Sequence, residues 1–304
     1  MNPSKKYILP FYHTVCDVPL DHIRFLYPVK TVKRFKKDIE YFLKKYEPVD
    51  LETLYKHAQD GFKNVKKPIL HLSFDDGHSE LKSLVAPLLL QKGIPATFFV
   101  NPDFLSNKGL SFRYKASILM SEAGRHANKP QIKDILSAKY HEEFIIDALA
   151  EKLEVDFSEY LEKHKPYIHM RDLTELTKQG FTIGAHSMKH PEFQYLDEKE
   201  QVKQLKQSMK FVTKHFDPKI KAFAFPFTDF GVSQSFFDKV KEKSLVDITF
   251  GTAGIKDDQA EMNFQRIPME TNYNGHITVG KQKLKSMLRS MIGKNIIKRK
   301  NEGI

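Results

Sequence analysis

Seven short apolar runs, each ending near polar residues or glycine, constrain the fold of this chain more than any other feature. Segments between them repeat apolar residues at helical spacing, as in residues 32–46 and 201–215. Short strands that alternate with helices predict an α/β fold, built of βα units around a mostly parallel sheet or barrel. The predicted strands cover residues 7–13, 69–74, 96–100, 181–185, 222–226, 247–250 and 264–268.

The segment 102–168 lies between two predicted strands and is rich in helix-forming residues. We interpret it as a helical insertion over one end of the barrel. Single barrel domains commonly reach about 200–250 residues. The length of 304 residues allows one large α/β domain or two small ones. With the segment interpreted as an insertion rather than as a separate domain, the sequence predicts one barrel domain, residues 1–304.

Two adjacent carboxylates follow the second predicted strand, where the apolar run 69–74 stops at Asp75, Asp76 and Gly77. A turn at Gly77 can bring both side chains into one pocket, where one carboxylate binds a cation and the other accepts a proton. The alternative is a solvated turn, because Asp-Gly is common turn chemistry.

Two histidines, His186 and His190, follow the fourth predicted strand. Histidines four residues apart can face one metal ion when the segment makes a helical turn, although a chain with 13 His also contains such pairs by chance. Parallel barrels place their chemistry at the carboxyl ends of the strands, so we expect the carboxylates and the histidines to share one site. The lone Cys16 excludes an internal disulfide and a cysteine-based zinc cluster.

The Phe-Asp-Asp-Gly sequence at 74–77 and the His-Ser-Met-Lys-His sequence at 186–190 resemble, in this order, the first two motifs of the polysaccharide deacetylases, carbohydrate esterase family four. The resemblance covers about residues 7–269 and implies an irregular (β/α)7 barrel, to which the helical insertion is added. It also implies hydrolysis of N-acetyl, or O-acetyl, groups on a carbohydrate by a metal-activated water. On this basis Asp75 is the general base, and a divalent metal is held by Asp76, His186 and His190. Zinc is favoured by these ligands, and nickel, cobalt or iron fits the same set.

The third motif of the family usually reads Phe-Arg-x-Pro-Tyr-Gly, and residues 223–228 here read Phe-Ala-Phe-Pro-Phe-Thr. Ala224 therefore stands where the family has the arginine that orients the base. Arg113 and Arg266 are the candidate replacements. The backbone N–H of Phe227 keeps its implied role toward the oxyanion, because that role needs no particular side chain.

The resemblance leaves two candidates for the general acid. The family's late Leu-x-His motif is not recognisable, although His276 lies in about the right part of the chain. The branch that resembles poly-N-acetylglucosamine deacetylases instead has an early Tyr-His at the end of the first strand, as in Tyr12 and His13. This makes His13 the preferred acid.

Two other functions compete with a deacetylase. The missing motif arginine and the unassigned general acid motivate a catalytically inactive carbohydrate-binding protein on the same scaffold. The intact set of Asp75, Asp76, His186 and His190 argues against it. Metal-dependent phosphoester hydrolysis would use the basic surface, but it normally needs a two-metal site with more carboxylates than the sequence offers. For the deacetylase, the expected substrates are an acetylated amino-sugar polysaccharide, an oligosaccharide or a lipid-linked sugar.

The formal charge of +11 is concentrated near the end of the chain. Residues 281–300 contain eight Lys or Arg and no acid, and Leu284, Met287, Leu288, Met291 and Ile292 share a helical face. The pattern is typical of an amphipathic helix on a membrane surface. The alternative is a last barrel helix that packs its apolar face on the core.

The sequence also gives expectations about location. No apolar run approaches the roughly 20 residues of a spanning helix, and the apolar run after the basic N-terminus is shorter than that of a signal peptide. We therefore expect a cytoplasmic protein, peripheral at the inner face of the membrane if the basic tail binds lipid. No nucleic-acid-binding motif is recognised, so nucleic acid is not an expected partner.

Overall fold

The computed structural model describes residues 6–125 and 135–301. Residues 126–134 of the predicted insertion, and both ends of the predicted domain 1–304, lie outside the described residues. The helices are α1 Val32–Lys45, α2 Leu51–Gln59, α3 Ala86–Gln91, α4 Phe112–Arg125, α5 Glu143–Lys152, α6 Phe157–His164, α7 Met170–Lys178, α8 Glu198–Phe216, α9 Gln234–Glu242 and α10 Gly275–Met291, with a π-helical turn at Leu81–Val85 and 3₁₀ turns at Leu105–Asn107, Tyr140–Glu142 and Phe193–Tyr195.

The strands are short, with at most five residues each. They are β1 Tyr7–Ile8, β2 Pro10–Tyr12, β3 Glu47–Pro48, β4 Ile69–Leu70, β5 Leu72–Phe74, β6 Ala96–Val100, β7 Thr182–Ala185, β8 Ala222–Ala224, β9 Ile248–Gly251, β10 Asp257–Asp258, β11 Asn263–Gln265, β12 Ile267–Pro268 and β13 Ile296–Ile297.

The main sheet is parallel throughout and closes almost completely into a barrel. Its eight strands lie in the order β11-β9-β8-β7-β6-β5-β2-β12. The two strands at the ends of this order, β11 and β12, are consecutive in the chain and are separated only by Arg266. One segment, residues 263–268, therefore pairs with β9 on one side and with β2 on the other. The predicted α/β barrel with seven strand positions is confirmed.

The first two predicted strands are each divided into two short strands. Leu9 separates β1 from β2, and His71 separates β4 from β5. The outer halves form a second sheet, in the order β1-β4-β3. The His71 ring holds this junction, because Nδ1 lies 2.9 Å from the Val49 carbonyl and Nε2 lies 2.9 Å from the Thr97 hydroxyl.

The helices cover the barrel through apolar faces that their caps help to fix. The Thr31 side chain caps α1 by accepting from the Arg34 N–H, and Asp197 caps α8 by accepting from the Glu200 N–H at 2.8 Å. The helix α8 is longer than the predicted 201–215, since this cap places its start at Glu198. The shared core contains, among others, Phe35, Ile39 and Phe42 of α1, Leu205, Met209 and Val212 of α8, and the strand residues Phe74, Phe98 and Phe223.

The segment 102–168 contains α4, α5 and α6 between β6 and β7. It has a small apolar cluster of its own, in which Phe112 and Leu119 pack with Ile146. A second cluster joins it to the loop after β2, through Ile23 and Tyr114. The helical segment is thereby packed on the loop at the carboxyl end of the first barrel strand.

The last helix differs from the expectation for residues 281–300. It begins at Gly275 and ends at Met291, because Gly293 adopts a left-handed φ of 67° and β13 then pairs with β10. The alternative that its apolar face packs on the core is wrong, since the buried residues of α10 are Gly275, Thr278, Val279 and Ser286. In the part of the chain described, no helix combines the length and the apolar character that crossing a membrane requires.

Candidate metal and catalytic site

One cavity of about 390 Å³ lies at the carboxyl ends of the barrel strands, and its lining includes His13, Asp75, Asp76, His190 and Phe227. His13 follows β2, the two carboxylates follow β5, and Phe227 follows β8. The parallel sheet thus gathers side chains that are far apart in the sequence at one end of the barrel. A larger cavity lies beside β10 and β11, and its lining includes none of these five residues.

Asp76, His186 and His190 form a buried cluster with the donor set of a metal site. Asp76 Oδ1 lies 3.4 Å from His186 Nε2 and 3.2 Å from His190 Nε2. The three potential ligand atoms lie within 4.8 Å of one another. Among residues 6–125 and 135–301, no other group of three or more His, Cys, Asp or Glu side chains has this arrangement.

The local backbone orients these ligands. The Nδ1–H of His186 donates to the Ala224 carbonyl at 2.8 Å, which leaves Nε2 as the acceptor that faces Asp76. The N–H of His190 donates to Ser187 Oγ at 3.0 Å. Asp76, Ser187 and His190 all have left-handed φ angles, between 55° and 68°. Such conformations are costly for these residues, and they are typical of sites where the surrounding structure fixes a side chain for function.

The cluster fits a cation on two observations. Asp76 Oδ1 and His190 Nε2 are buried and form no hydrogen bond within the described residues. Burial alone would raise the pKa of Asp76, but His190 and His186 outweigh it and hold this pKa well below its ordinary value. Burial lowers the pKa of His190, which favours the neutral ring that binds metals. A charged carboxylate and neutral imidazoles are the protonation states that a divalent metal needs.

Asp75 is paired with a buried arginine from the closing segment of the barrel. The Arg266 guanidinium donates two hydrogen bonds to the carboxylate, both of 2.7 Å, and a third of 3.0 Å to the Ser73 hydroxyl. Burial alone would raise the pKa of Asp75, but the charge of Arg266 outweighs it and lowers this pKa. Arg113, the other candidate for this role, instead forms an ion pair with Glu192 at 3.0 Å.

His13 is paired with Glu270, which lies two residues after β12. One carboxylate oxygen contacts His13 Nδ1, and the other accepts from the backbone N–H groups of His13 and Thr14 at 2.7 and 3.1 Å. Burial alone would lower the pKa of His13, but the Glu270 charge and hydrogen bond outweigh it and raise this pKa to about 9. His276, the alternative acid, is exposed on α10 and has its ring 6.2 Å from that of Tyr41.

Phe227 is held in a left-handed conformation, with φ of 56°, directly after Pro226. Its ring packs against the His190 ring with centroids 4.5 Å apart, and its carbonyl accepts from the Thr252 hydroxyl at 2.9 Å. Its N–H forms no hydrogen bond within the described part of the chain. The Phe227 N–H is therefore available to an acceptor that lies beside the cluster of Asp76, His186 and His190.

The loop that follows β8 and carries Phe227 is held by side chains of β11 and by Arg299. Asp229 accepts hydrogen bonds from Asn263 at 2.8 Å and from Gln265 at 2.6 Å. The Arg299 guanidinium contacts Asp229 and Asp258, and it donates to the Asp229 carbonyl at 2.6 Å. The residues after α10 thereby help to fix the loop that follows β8.

A tyrosine from the insertion completes the surroundings of the cluster. The Tyr114 hydroxyl on α4 donates to Asp76 Oδ2 at 2.6 Å, and it accepts from His78 Nε2 at 2.7 Å. Burial lowers the pKa of His78 to about 4, so this ring is neutral and its Nε2 carries the proton. Asp76 is thus fixed at one oxygen by Tyr114, while the other oxygen faces the histidines.

Sequence reasoning missed Glu270 and Tyr114. A signal for Glu270 exists, since it lies two residues beyond the predicted strand 264–268, as other site residues follow their strands. No comparable signal marks Tyr114, because its contact depends on how α4 packs over the barrel.

Comparisons with known proteins bear on the family and the fold of this chain. A family model described as polysaccharide deacetylase matches residues 62–235. No curated protein sequence matches the chain. Solved structures with the same fold include the Streptococcus pyogenes deacetylase PplD in complex with acetate, with a TM-score of 0.60 and 13% identity, which covers 92% of this chain and 97% of that one.

Two further structures have similar scores. IcaB from Ammonifex degensii has a TM-score of 0.57 and 13% identity, with 91% of this chain and 97% of that chain covered. A de-N-acetylase from Aggregatibacter actinomycetemcomitans has a TM-score of 0.56 and 13% identity, with 90% and 99% covered. At these identities the likeness concerns the fold.

The family match includes the carboxylates after β5 and the histidines after β7, and it spans more than half of the chain. The family is one of hydrolases that act on carbon–nitrogen bonds of non-peptide amides in carbohydrates. This chain is a member of the polysaccharide deacetylase family.

Proposed function

We propose that this protein hydrolyses the N-acetyl group of an amino sugar in a polysaccharide, an oligosaccharide or a lipid-linked sugar. The observation that carries the proposal is one cavity lined by an ionised carboxylate, a protonated histidine and two members, Asp76 and His190, of a buried Asp-His-His cluster. Among the structurally similar proteins, one is a deacetylase in complex with acetate and another is a de-N-acetylase.

In this proposal Asp76, His186 and His190 hold the divalent cation of the family. Two imidazole nitrogens and one carboxylate suit zinc, and nickel, cobalt or iron bind the same donors. When bound, such a cation supplies Lewis acidity, which lowers the pKa of a water and withdraws charge from a carbonyl oxygen. Tyr114 keeps the Asp76 carboxylate oriented for this role.

Asp75 is the proposed general base, and it takes the proton of the attacking water. The bidentate contact with Arg266 keeps its carboxylate ionised and fixes its plane. The Phe227 N–H donates to the oxygen on which negative charge develops. An ionised base and a backbone donor beside the cation are what acyl transfer to water requires.

His13 is the proposed general acid. Its Nδ1 is engaged by Glu270, so Nε2 is the atom that donates a proton to the leaving amine. An unprotonated amine is a poor leaving group, and this step therefore matters more for an N-acetyl than for an O-acetyl substrate. A pKa of about 9 keeps His13 charged near neutral pH.

The hypothesis of a catalytically inactive binding protein depended on the missing arginine at position 224 and on the unassigned general acid. Arg266, which lies between β11 and β12, supplies a guanidinium to Asp75, so the missing arginine no longer favours inactivity. Phosphoester hydrolysis at two metals is not favoured either, since the described residues offer one ligand cluster with a single carboxylate.

The test measures acetate release from N-acetylglucosamine oligomers with added zinc, cobalt or nickel. We expect Asp75→Asn to lower kcat by at least about 100-fold while the protein still binds metal. Asp238→Asn, at an exposed carboxylate on α9, is the matched control and keeps full activity. Metal binding without acetate release from several acetylated glycans would overturn the proposal in favour of a binding protein.

A further inference from the structure

The helix α10 presents an apolar stripe to solvent. We define the outer stripe of α10 as Leu284, Met287, Leu288, Met291 and Ile292, which are between 52% and 77% exposed. These residues follow the i, i+3, i+4, i+7 spacing that aligns side chains on one helix face. Ile296, beyond the helix end, extends the exposed apolar surface.

The face of α10 that packs on the protein is the opposite one. Its buried residues Gly275, Val279 and Ser286 fall on the other side of the helix from the outer stripe. Gly275 is packed so closely that an added Cβ would lie 2.9 Å from the Asp38 carboxylate, and its N–H donates to that carboxylate at 2.5 Å. The orientation of α10 is therefore fixed by close packing, and the outer stripe faces away from the barrel.

The surroundings of the outer stripe are cationic. Lys281 and Lys285 lie beside it on the helix, and Lys294 and Lys298 follow it; all four are exposed. No acidic residue occurs between Glu270 and Glu302. Within the described residues none of these four lysines forms an ion pair. The part of the chain that the structure describes therefore offers neither apolar cover nor negative charge to this surface.

We propose that α10 binds the surface of an anionic lipid bilayer, with the outer stripe inserted among the acyl chains and the lysines at the headgroups. A bilayer of this kind offers apolar and anionic groups at adjacent depths, which matches the stripe and its rim. Tyr273, half exposed at the start of α10 with the Lys281 ammonium over its ring, lies where interfacial aromatic residues are favoured.

Charge argues against the other occupants of this surface. A second copy of the chain would bring two sets of lysines together, and like charges repel. A nucleic acid would meet the lysines but would leave the outer stripe uncovered. Anionic lipid provides apolar chains for the outer stripe and negative charge for the lysines. Lipid binding does not depend on acetate release, so this inference goes beyond the proposed function.

The experiment is co-sedimentation of the full chain with vesicles, using point variants. Removing residues after 280 is unsuitable, because Arg299 is buried in contact with Asp229 and Asp258. The test variant is Leu284→Ser/Leu288→Ser/Met291→Ser, at three exposed positions. The matched control is Phe144→Ser/Ile145→Ser, which removes two exposed apolar side chains from α5.

We expect the unmodified chain to bind vesicles of phosphatidylcholine with phosphatidylglycerol, and to bind pure phosphatidylcholine vesicles weakly. The triple variant should bind the anionic vesicles at least about tenfold more weakly, because it loses the apolar part of the contact. The control variant should bind as the unmodified chain does, and added salt should weaken binding. Acetate release from soluble oligomers should be equal in all three proteins.

Two results would overturn the proposal. One is a negative vesicle assay, in which the unmodified chain does not bind anionic vesicles or the triple variant binds them as well as the unmodified chain does. The other is a dimer in analytical ultracentrifugation that the triple variant abolishes, without lipid binding by either protein. Neither result bears on acetate release, so the proposal fails or stands separately from the proposed function.

Discussion

Arg266 is a fully buried cation that lies between the last two strands of the barrel sheet and reaches Asp75. Its guanidinium also stacks on the Phe11 ring, 4.3 Å from the centroid. A buried carboxylate without a partner would cost several kcal/mol, and the pairing offsets that cost. The residue therefore serves both the stability of the barrel interior and the charge state of the proposed base.

Glu270 has the corresponding role for His13, and its charge can be removed with little change in shape. We predict that Glu270→Gln lowers the pKa of His13 from about 9, because burial continues to lower this pKa and the opposing charge is gone. The measurement is an NMR titration of His13 in metal-free protein.

The same change should alter the pH dependence of activity. A general acid must be protonated, so activity falls as the pH rises through the pKa of His13. The alkaline limb of the kcat profile should move to lower pH in Glu270→Gln. Glu261→Gln, at an exposed carboxylate, is the control. An unchanged limb in Glu270→Gln would show that His13 is not the acid.

At the scale of elements, the insertion contributes directly to the site through α4. Its Tyr114 contacts Asp76, while Arg113 beside it pairs with Glu192 and lies over the Phe227 ring, 5.5 Å from the centroid. The insertion is thus part of the wall around the proposed metal ligands. Its removal would expose Asp76 and free one of its oxygens.

We predict that Tyr114→Phe weakens zinc binding by about 10–100-fold, as is usual when a group that orients a metal ligand is lost. The change removes one hydroxyl and keeps the ring. Tyr160→Phe is the matched control, since its hydroxyl lies 2.9 Å from His22 Nδ1 and does not contact Asp76. Affinities are measured by competition with a chelator. Equal zinc affinities for the two variants would show that Tyr114 does not help to orient Asp76 for metal binding.

For the whole molecule, the proposed metal site links two separate parts of the chain, and this has a consequence for stability. A ligand that binds only the folded state stabilises it by about 2.7 kcal/mol at a concentration 100 times its Kd. We predict that free zinc at that level raises the Tm by about 4–6 °C for a chain of this size.

The control pair for this measurement is His190→Ala and His276→Ala. The first removes a proposed ligand and should abolish the rise in Tm. The second removes an exposed histidine from α10 and should leave the rise intact. A rise of equal size in His190→Ala would place zinc elsewhere on the protein.

The sequence predicted the parts of this structure that depend on local pattern. Apolar runs marked the seven strand positions, and polar residues at their ends marked Asp75, Asp76 and His186, because parallel strands carry their ends to one place. For the partner of Asp75 the sequence offered two candidates, Arg113 and Arg266. It could not choose between them, because the contact of Arg266 with Asp75 joins residues 191 positions apart and depends on closure of the barrel.

Other features depended on tertiary packing and were not predictable. The sequence left open whether the apolar face of α10 meets a membrane or the core, and that face points outward because residues such as Gly275 and Ser286 occupy the packed face. The end of α10 was placed too late, since residues after Gly293 pair with β10 rather than continue the helix. In both cases a local helical pattern gave no information on the partner.

The segment 263–270 both closes the barrel and supplies the partners of the two proposed proton-transfer groups, Arg266 for Asp75 and Glu270 for His13. The proposed metal ligands follow β5 and β7, which are joined through β6 without this segment. Pairing of this segment with β9 and β2 therefore places the groups that set the charge of the proposed base and acid, whereas the strands that carry the proposed metal ligands pair without it. A change in the seam should thus disturb proton transfer before it disturbs metal binding.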